Sequence, residues 1–336
     1  MISLMRINAS IIKIMKDIDI LHHPPAEELE LNRKLVQARS LSDSSWRVLR
    51  SQWSKFQQWA KASGEHMLPI SPETLCDYMT HLAESGIKTA GLDSARWAID
   101  QIHRFKELER PSNSEQVRLH LKGLKRLMLE QRPEQVRISR KQPITIDDIR
   151  RMHFQEGIIG IRDKALLLTG FATGMRRSEL AALKKDDIQA TEFGYRITIW
   201  KSKTNQEGLE EKVDLLKATR GKNLDWCPVK ALEELLEAVP GDAVFQSMNG
   251  KGISVRFSGK HLSGYSIACI VKKVSNSTDS DTSQFAGHSL RAGCATYLLD
   301  KEVSPAAVQK QMRHKSFDTT QQYNRGETAR ALAGAY

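Results

Sequence analysis

From Ser42 onward the chain alternates apolar and polar residues with a helical period. Trp46, Leu49, Trp53, Phe56 and Trp59–Ala60 recur at steps of three and four, which places them on one face of a helix. Ser42 or Ser44 can cap its start, and Gly64 lies just past its end. Ser71 followed by Pro72 predicts a second helix over 71–85, stopped by Gly86. A third helix is expected over 89–108, with Leu92, Ala95, Ile99, Ile102 and Phe105 on one side, and a fourth over 114–130. No strand pattern interrupts them. Residues 39–130 therefore predict an all-helical domain, and its four tryptophans, Trp46, Trp53, Trp59 and Trp97, are expected in its core.

Residues 131–144 hold Pro133, Pro143 and four positive charges, which predicts an extended basic linker. At Thr145 a new pattern opens with a capping-box signature, Thr145 to Asp148. Helices are expected near 146–155, 160–170, 228–238, 262–275, 289–301 and 304–312, with a last segment from Ser316. Two short strands, Tyr195–Trp200 and Lys212–Leu216, flank a polar turn and predict one small sheet. Residues 1–38 carry the breaker His22-His23-Pro24-Pro25 and an acidic run, and are expected to be a tail with one marginal helix. The expected fold class is mainly α: an all-helical N-terminal domain, then a mostly helical domain over 145–336 with a small antiparallel sheet.

The chain has 336 residues, 51 Lys+Arg against 40 Asp+Glu, for a net charge of +11. A basic balance of that size suits a polyanionic partner. Cys76, Cys227, Cys269 and Cys294 are too scattered for a CxxC site, and are expected as buried residues in a reducing compartment. No apolar run approaches the length of a membrane span, since Arg6, Lys13, Lys16 and Asp17 break up the N-terminal stretch. A cytoplasmic protein is expected. The sequence holds no GxxxxGK[ST] loop, no GxGxxG after a strand and no HExxH, so neither a nucleotide cofactor nor a metal is called for.

The chemistry-bearing residues fall at element ends in the second domain. In Thr173-Gly-Met-Arg-Arg-Ser-Glu-Leu180, Gly174 ends one helix and places Arg176 at the start of the next. A cation is disfavoured there by the helix dipole, and Glu179, three residues on, can hold it. Lys201 and Lys203 lie at a strand end, where lysines are commonly solvated. His288 and Arg291, three apart at a helix start, place a second cation where the dipole repels it. Two such placements point to a shared anion. His314 stands nine residues before Tyr323.

Together these residues resemble the tyrosine recombinases, the phage integrase family. Its T-G-x-R-x-x-E-L box is met by Thr173, Gly174, Arg176, Glu179 and Leu180, its hairpin lysine by Lys203, its H-x-x-R box by His288 and Arg291, and its final pair by His314 and Tyr323. The ordered set is far more specific than any one box. The resemblance covers the second domain. More loosely, Ser44-Ser-Trp46 and Pro111-Ser-Asn-Ser114 look like the first domain of Cre-like members. The chain departs from Cre in having His314 where Cre has tryptophan. The doublet Arg176-Arg177 leaves two arginines for one role, and the spacing to Glu179 favours Arg176.

The resemblance implies a C-shaped clamp on double-stranded DNA and attack by the Tyr323 hydroxyl on a phosphodiester. The products are a 3′-phosphotyrosyl link and a free 5′-hydroxyl, with no ATP, metal or other cofactor. Arg176, Arg291 and His314 would hold the phosphate, His288 accept the tyrosine proton, Lys203 protonate the leaving oxygen and Glu179 support Arg176. It also implies homotetramers on paired inverted-repeat sites, with monomers or dimers on half-sites, and a C-terminal tail over 328–335 that docks on a neighbouring subunit. A bacterial, phage or plasmid setting is expected. Lys88, Lys122, Lys125 and Arg126 in the first domain, and Lys201, Lys260, His261, Lys272 and Lys273 in the second, are candidate DNA contacts, the helix over 262–275 being the candidate groove element. The competing readings are a non-cleaving DNA-binding protein of this fold and a type IB topoisomerase-like nicking and resealing enzyme.

Overall fold

A computed structural model describes residues 36–136, 141–200, 210–218, 221–250, 254–275 and 284–323. The backbone divides into two compact units, Met1–Ser139 and Arg140–Tyr336.

The first unit contains helices α1 (Asp43–Ser63), α2 (Pro72–Glu84), α3 (Thr89–Phe105) and α4 (Glu115–Gln131), with a single turn, α5 (Pro133–Val136). The stretch expected to be an extended linker thus begins in helix: Pro133 occupies a first helical position, where its missing N–H costs nothing. Ser42 caps α1, accepting from the Ser45 amide at 3.2 Å, and Gly64 ends it in the left-handed region. Ser71 caps α2 in the same way. Trp46, Leu49, Trp53 and Phe56 from α1 meet Leu75, Tyr78 and Met79 from α2 and Leu92, Ile99 and Ile102 from α3 in one core. Trp46 and Trp53 are buried there, whereas Trp59 and Trp97 pack at its margin.

Within this core His103 is fully buried, its Nε2 accepting from the Ile70 amide at 3.2 Å and its Nδ1 donating to the Glu109 carbonyl at 2.6 Å. Burial lowers its pKa, although the Glu109 carbonyl favours the proton. An unfolded histidine titrates near 6.5, so the unfolded chain gains a proton first as pH falls. Stability attributable to His103 is complete above about pH 6.5 and declines as pH drops toward its lowered folded value. Tryptophan-monitored urea unfolding should therefore give a lower midpoint at about pH 5 than at about pH 7, with less change in His103→Gln.

The second unit is built on α7 (Ile158–Thr173), whose buried residues include Leu166, Leu167, Leu168 and Phe171. It is preceded by α6 (Ile146–Arg151), which opens on the Thr145–Asp148 capping box and ends four residues before the expected 155. It is followed by α8 (Arg177–Ala182). Strands β1 (Ile188–Thr191), β2 (Gly194–Ile199) and β3 (Glu211–Leu216) form an antiparallel sheet in chain order. After α9 (Pro228–Ala238) comes a second sheet, β4 (Gln246–Asn249) paired with β5 (Arg256–His261). One sheet was expected, and the described residues form two. Their added strands, β1, β4 and β5, are four to six residues long and too polar to alternate clearly.

Helices α10 (Gly264–Ser275), α11 (Ser289–Asp300), α12 (Pro305–Met312) and α13 (Phe317–Gln321) complete the unit. Just before α6, the Ile144 amide donates to the Ser289 carbonyl. A Cβ on Gly293 would lie 1.9 Å from the Ile144 oxygen, so only glycine allows this crossing over α11. The four cysteines are free, and Cys269 is exposed on α10, contrary to the expected burial. Its position, four after the exposed Tyr265, puts it on the face opposite Ile267, Ile270 and Val271. Among the described residues, no helix is long and apolar enough to cross a membrane, and no cluster of three or more His, Cys, Asp or Glu is placed to hold a metal.

Candidate active site

Three segments converge at the C-terminal end of α7: the α7–α8 turn, the start of α11, and the turn joining α12 to α13. Gly174 ends α7 with φ 60°, in the left-handed conformation that glycine adopts without strain. A Cβ there would also stand 2.7 Å from Met312 Sδ. Gly174→Ala is thus expected to cost roughly 1–2 kcal/mol in backbone strain alone, seen as a lower melting temperature.

Arg176 is the N-cap of α8 rather than a member of its first turn. Glu179 reaches back along the helix start, accepting from the Arg176 amide at 2.8 Å through Oε2 and from Arg176 Nη1 at 2.6 Å through Oε1. The carboxylate thereby offsets the cation that the helix dipole repels. Arg177 faces solvent, its stem lying beside Gly264 and Gly287. Of the doublet, Arg176 is the one held by Glu179.

Arg291 projects from the first turn of α11 and is buried, 2% exposed. Its Nη1 donates to the Gly174 carbonyl at 2.5 Å and its Nη2 to the Met312 carbonyl. Arg176 Nη2 donates to the next carbonyl, that of Arg313, at 3.2 Å. Consecutive carbonyls of one turn therefore anchor the two arginines. Each guanidinium has five N–H groups, so each keeps three beyond these contacts. Burial and the charges of Arg176 and Arg313 push the Arg291 pKa down to about 10, which leaves it charged at neutral pH.

Tyr323 lies just beyond α13 with its hydroxyl 2.8 Å from His288 Nε2. The His314 ring is stacked on the tyrosine ring, with centroids 5.7 Å apart and planes at 13°. The Thr320 hydroxyl contacts His314 Nδ1 at 2.9 Å. If the hydroxyl donates there, Nε2 carries the histidine proton and can donate outward. Burial, then the charges of Arg291 and Arg176, push the His314 pKa down to about 4. Surrounding protein, then Arg291, Arg176 and Arg177, likewise lowers that of His288. Both imidazoles are neutral at pH 7, and a neutral His288 can accept a proton from Tyr323.

The structure thus brings together Arg176, Glu179, His288, Arg291, His314 and Tyr323. Lys201 and Lys203 lie outside the described residues, between β2 and β3. Lys272 and Lys273 are exposed at the end of α10, whereas Lys260 and His261 belong to β5, with His261 Nδ1 2.9 Å from the Ala181 carbonyl. In the first unit Lys88, Lys122 and Arg126 are exposed, and Lys125 is paired with Asp93 at 3.0 Å. Thr320, the Met312 and Arg313 carbonyls and the Arg313 side chain take part in the cluster without having been expected. Backbone carbonyls leave no trace in residue type, and Arg313 reads in sequence as one more surface cation.

Residues 144–330 match the model of the phage integrase family, and the chain belongs to that family, the tyrosine recombinases, which are DNA strand-transferring enzymes. It is 30% identical over 306 residues to an integrase/recombinase XerD homolog of Selenomonas ruminantium, covering 88% of this chain and 86% of that one. To the recombinase Cre of Escherichia phage P1 it is 22% identical over 277 residues, 79% of each chain. The likeness to Cre is therefore the weaker of the two. The fold is similar to lambda integrase in a tetramer bound to a Holliday junction, with a TM-score of 0.56, 16% identity, and 94% of this chain and 86% of that one covered.

Proposed function

We propose that this chain cleaves and rejoins double-stranded DNA through a covalent bond to Tyr323. The observation that carries this reading is the 2.8 Å contact between the Tyr323 hydroxyl and a neutral His288, in a cluster with two anchored arginines. The Tyr323 oxygen attacks the phosphorus as His288 takes its proton. The bond from phosphorus to the 5′-oxygen breaks, and that oxygen leaves as a hydroxyl after protonation by Lys203. Arg176 and Arg291 direct their remaining N–H groups at the non-bridging oxygens, where charge builds in the transition state, and His314 adds a donor. A 5′-hydroxyl from a second strand then reverses the step, and the bond energy is conserved throughout.

Paired inverted repeats occupied by a homotetramer are the substrate form we propose; the similar fold of lambda integrase in a tetramer on a Holliday junction supports the tetramer. Lys88, Lys122, Arg126, Lys260, Lys272 and Lys273 are the proposed phosphate contacts, and binding by such contacts weakens steeply with salt.

The test is incubation with nicked duplexes carrying randomised inverted repeats, read as SDS-resistant complex. A complex whose digestion leaves phosphotyrosine at position 323 supports the reading. Salt-sensitive binding with no covalent complex favours a non-cleaving DNA-binding protein. Because the His288 pKa is lowered, adduct formation should hold steady from pH 8 down to about 6.5 and fall only below it, as His288 gains a proton.

A further inference from the structure

Arg313 occupies a position where its backbone is strained and its side chain is buried. It ends α12 with φ 53°, the left-handed region that a helix end ordinarily gives to glycine. A side chain there costs roughly 1–2 kcal/mol relative to glycine. Yet the side chain is only 7% exposed, too enclosed for a solvated surface cation. Its Nη2 donates to Glu179 Oε2 at 2.8 Å and its Nη1 to the Gln311 carbonyl at 3.3 Å. Its Nε faces Glu211 Oε2, on the first residue of β3, at 3.5 Å.

We propose that Arg313 is a positioning residue that fixes the two phosphate-facing arginines through Glu179 and through the turn it occupies. This rests on the recombinase reading above. Glu179 Oε2 accepts from both the Arg176 amide and Arg313, while Oε1 accepts from Arg176 Nη1. With both oxygens engaged from different sides, the carboxylate cannot rotate, and Arg176 cannot swing with it. The same turn presents the Met312 carbonyl to Arg291 and the Arg313 carbonyl to Arg176, and leads directly into His314. Burial of Glu179 would raise its pKa, but the Arg313 charge and the Arg176 bonds outweigh that and keep the carboxylate ionised.

The decisive variant is Arg313→Gly, which supplies the residue the left-handed turn favours and so retains the fold, checked by circular dichroism. Misplacing catalytic groups slightly can cost on the order of a hundredfold. Single-turnover attachment to a nicked duplex recovered from the randomised pool should slow roughly tenfold to a hundredfold, at unchanged DNA affinity. Arg313→Lys, which returns a cation beside Glu179, should restore most of the rate. Attachment at the wild-type rate in a folded Arg313→Gly would overturn the inference and leave the recombinase reading intact. If the wild type itself forms no covalent complex, the recombinase reading fails, and tungstate binding by calorimetry decides for Arg313. Weaker tungstate binding in Arg313→Gly supports its hold on the arginines; unchanged or absent binding overturns it.

Discussion

Tyr323→Phe is expected to abolish covalent attachment to DNA, by on the order of 10⁴-fold or more, while leaving DNA affinity within about twofold. The substitution removes one oxygen and keeps the ring that stacks on His314. It also removes the hydroxyl that contacts His288 Nε2, and because His288 is an exposed residue water can take that place. The fold therefore has little reason to suffer, and loss of the adduct reports the missing nucleophile. SDS gels of both proteins on one nicked substrate give the comparison. An adduct formed by Tyr323→Phe at the wild-type rate would show that another residue attacks.

Arg291→Lys is the second large effect expected: single-turnover cleavage lowered on the order of 10²–10³-fold. A buried guanidinium satisfies the Gly174 and Met312 carbonyls and still has three N–H groups for a phosphate. An ammonium has three donors in all, so bonds to the two carbonyls leave one. Burial also lowers a lysine pKa from its ordinary value near 10.4, so the variant's residual rate should fall as pH rises. The wild-type arginine, with a pKa of about 10, stays charged at neutral and mildly alkaline pH. Arg291→Ala should be worse folded as well as inactive, because two carbonyls would lose their donor at roughly 1–3 kcal/mol each. Comparing melting temperatures of the lysine and alanine variants separates the two contributions. A lysine variant with the wild-type rate and a flat pH profile would mean that Arg291 serves the fold alone.

Much of the architecture follows from local signals. Ser42, Ser71 and Thr145 are the observed caps of α1, α2 and α6, and Gly64 and Gly174 the observed ends of α1 and α7, because these features depend on residues within one turn. The strands β1, β4 and β5 were missed for the converse reason. Residues such as Gln246, Met248 and Asn249 pair with β5 because the chain returns beside them, not because of their own preference. Cys269 was expected to be buried on the strength of its residue type, and its exposure is set by which side of α10 meets the core.

The sequence alone determined the helical frame, through local periodicity and caps, while its resemblance to the tyrosine recombinases is what pointed to Arg176, Glu179, His288, Arg291, His314 and Tyr323, in that order. Only the tertiary structure decided how they are held. The Gly174 and Met312 carbonyls that anchor Arg291, the Thr320 hydroxyl on His314 and the bond from Arg313 to Glu179 join side chains to a turn and to partners distant in the chain. Arg313 and Glu179 are 134 residues apart. A spacing rule reaches along one helix or strand, whereas a buried charge is satisfied by whatever folding brings within about 3 Å, and no local pattern encodes that.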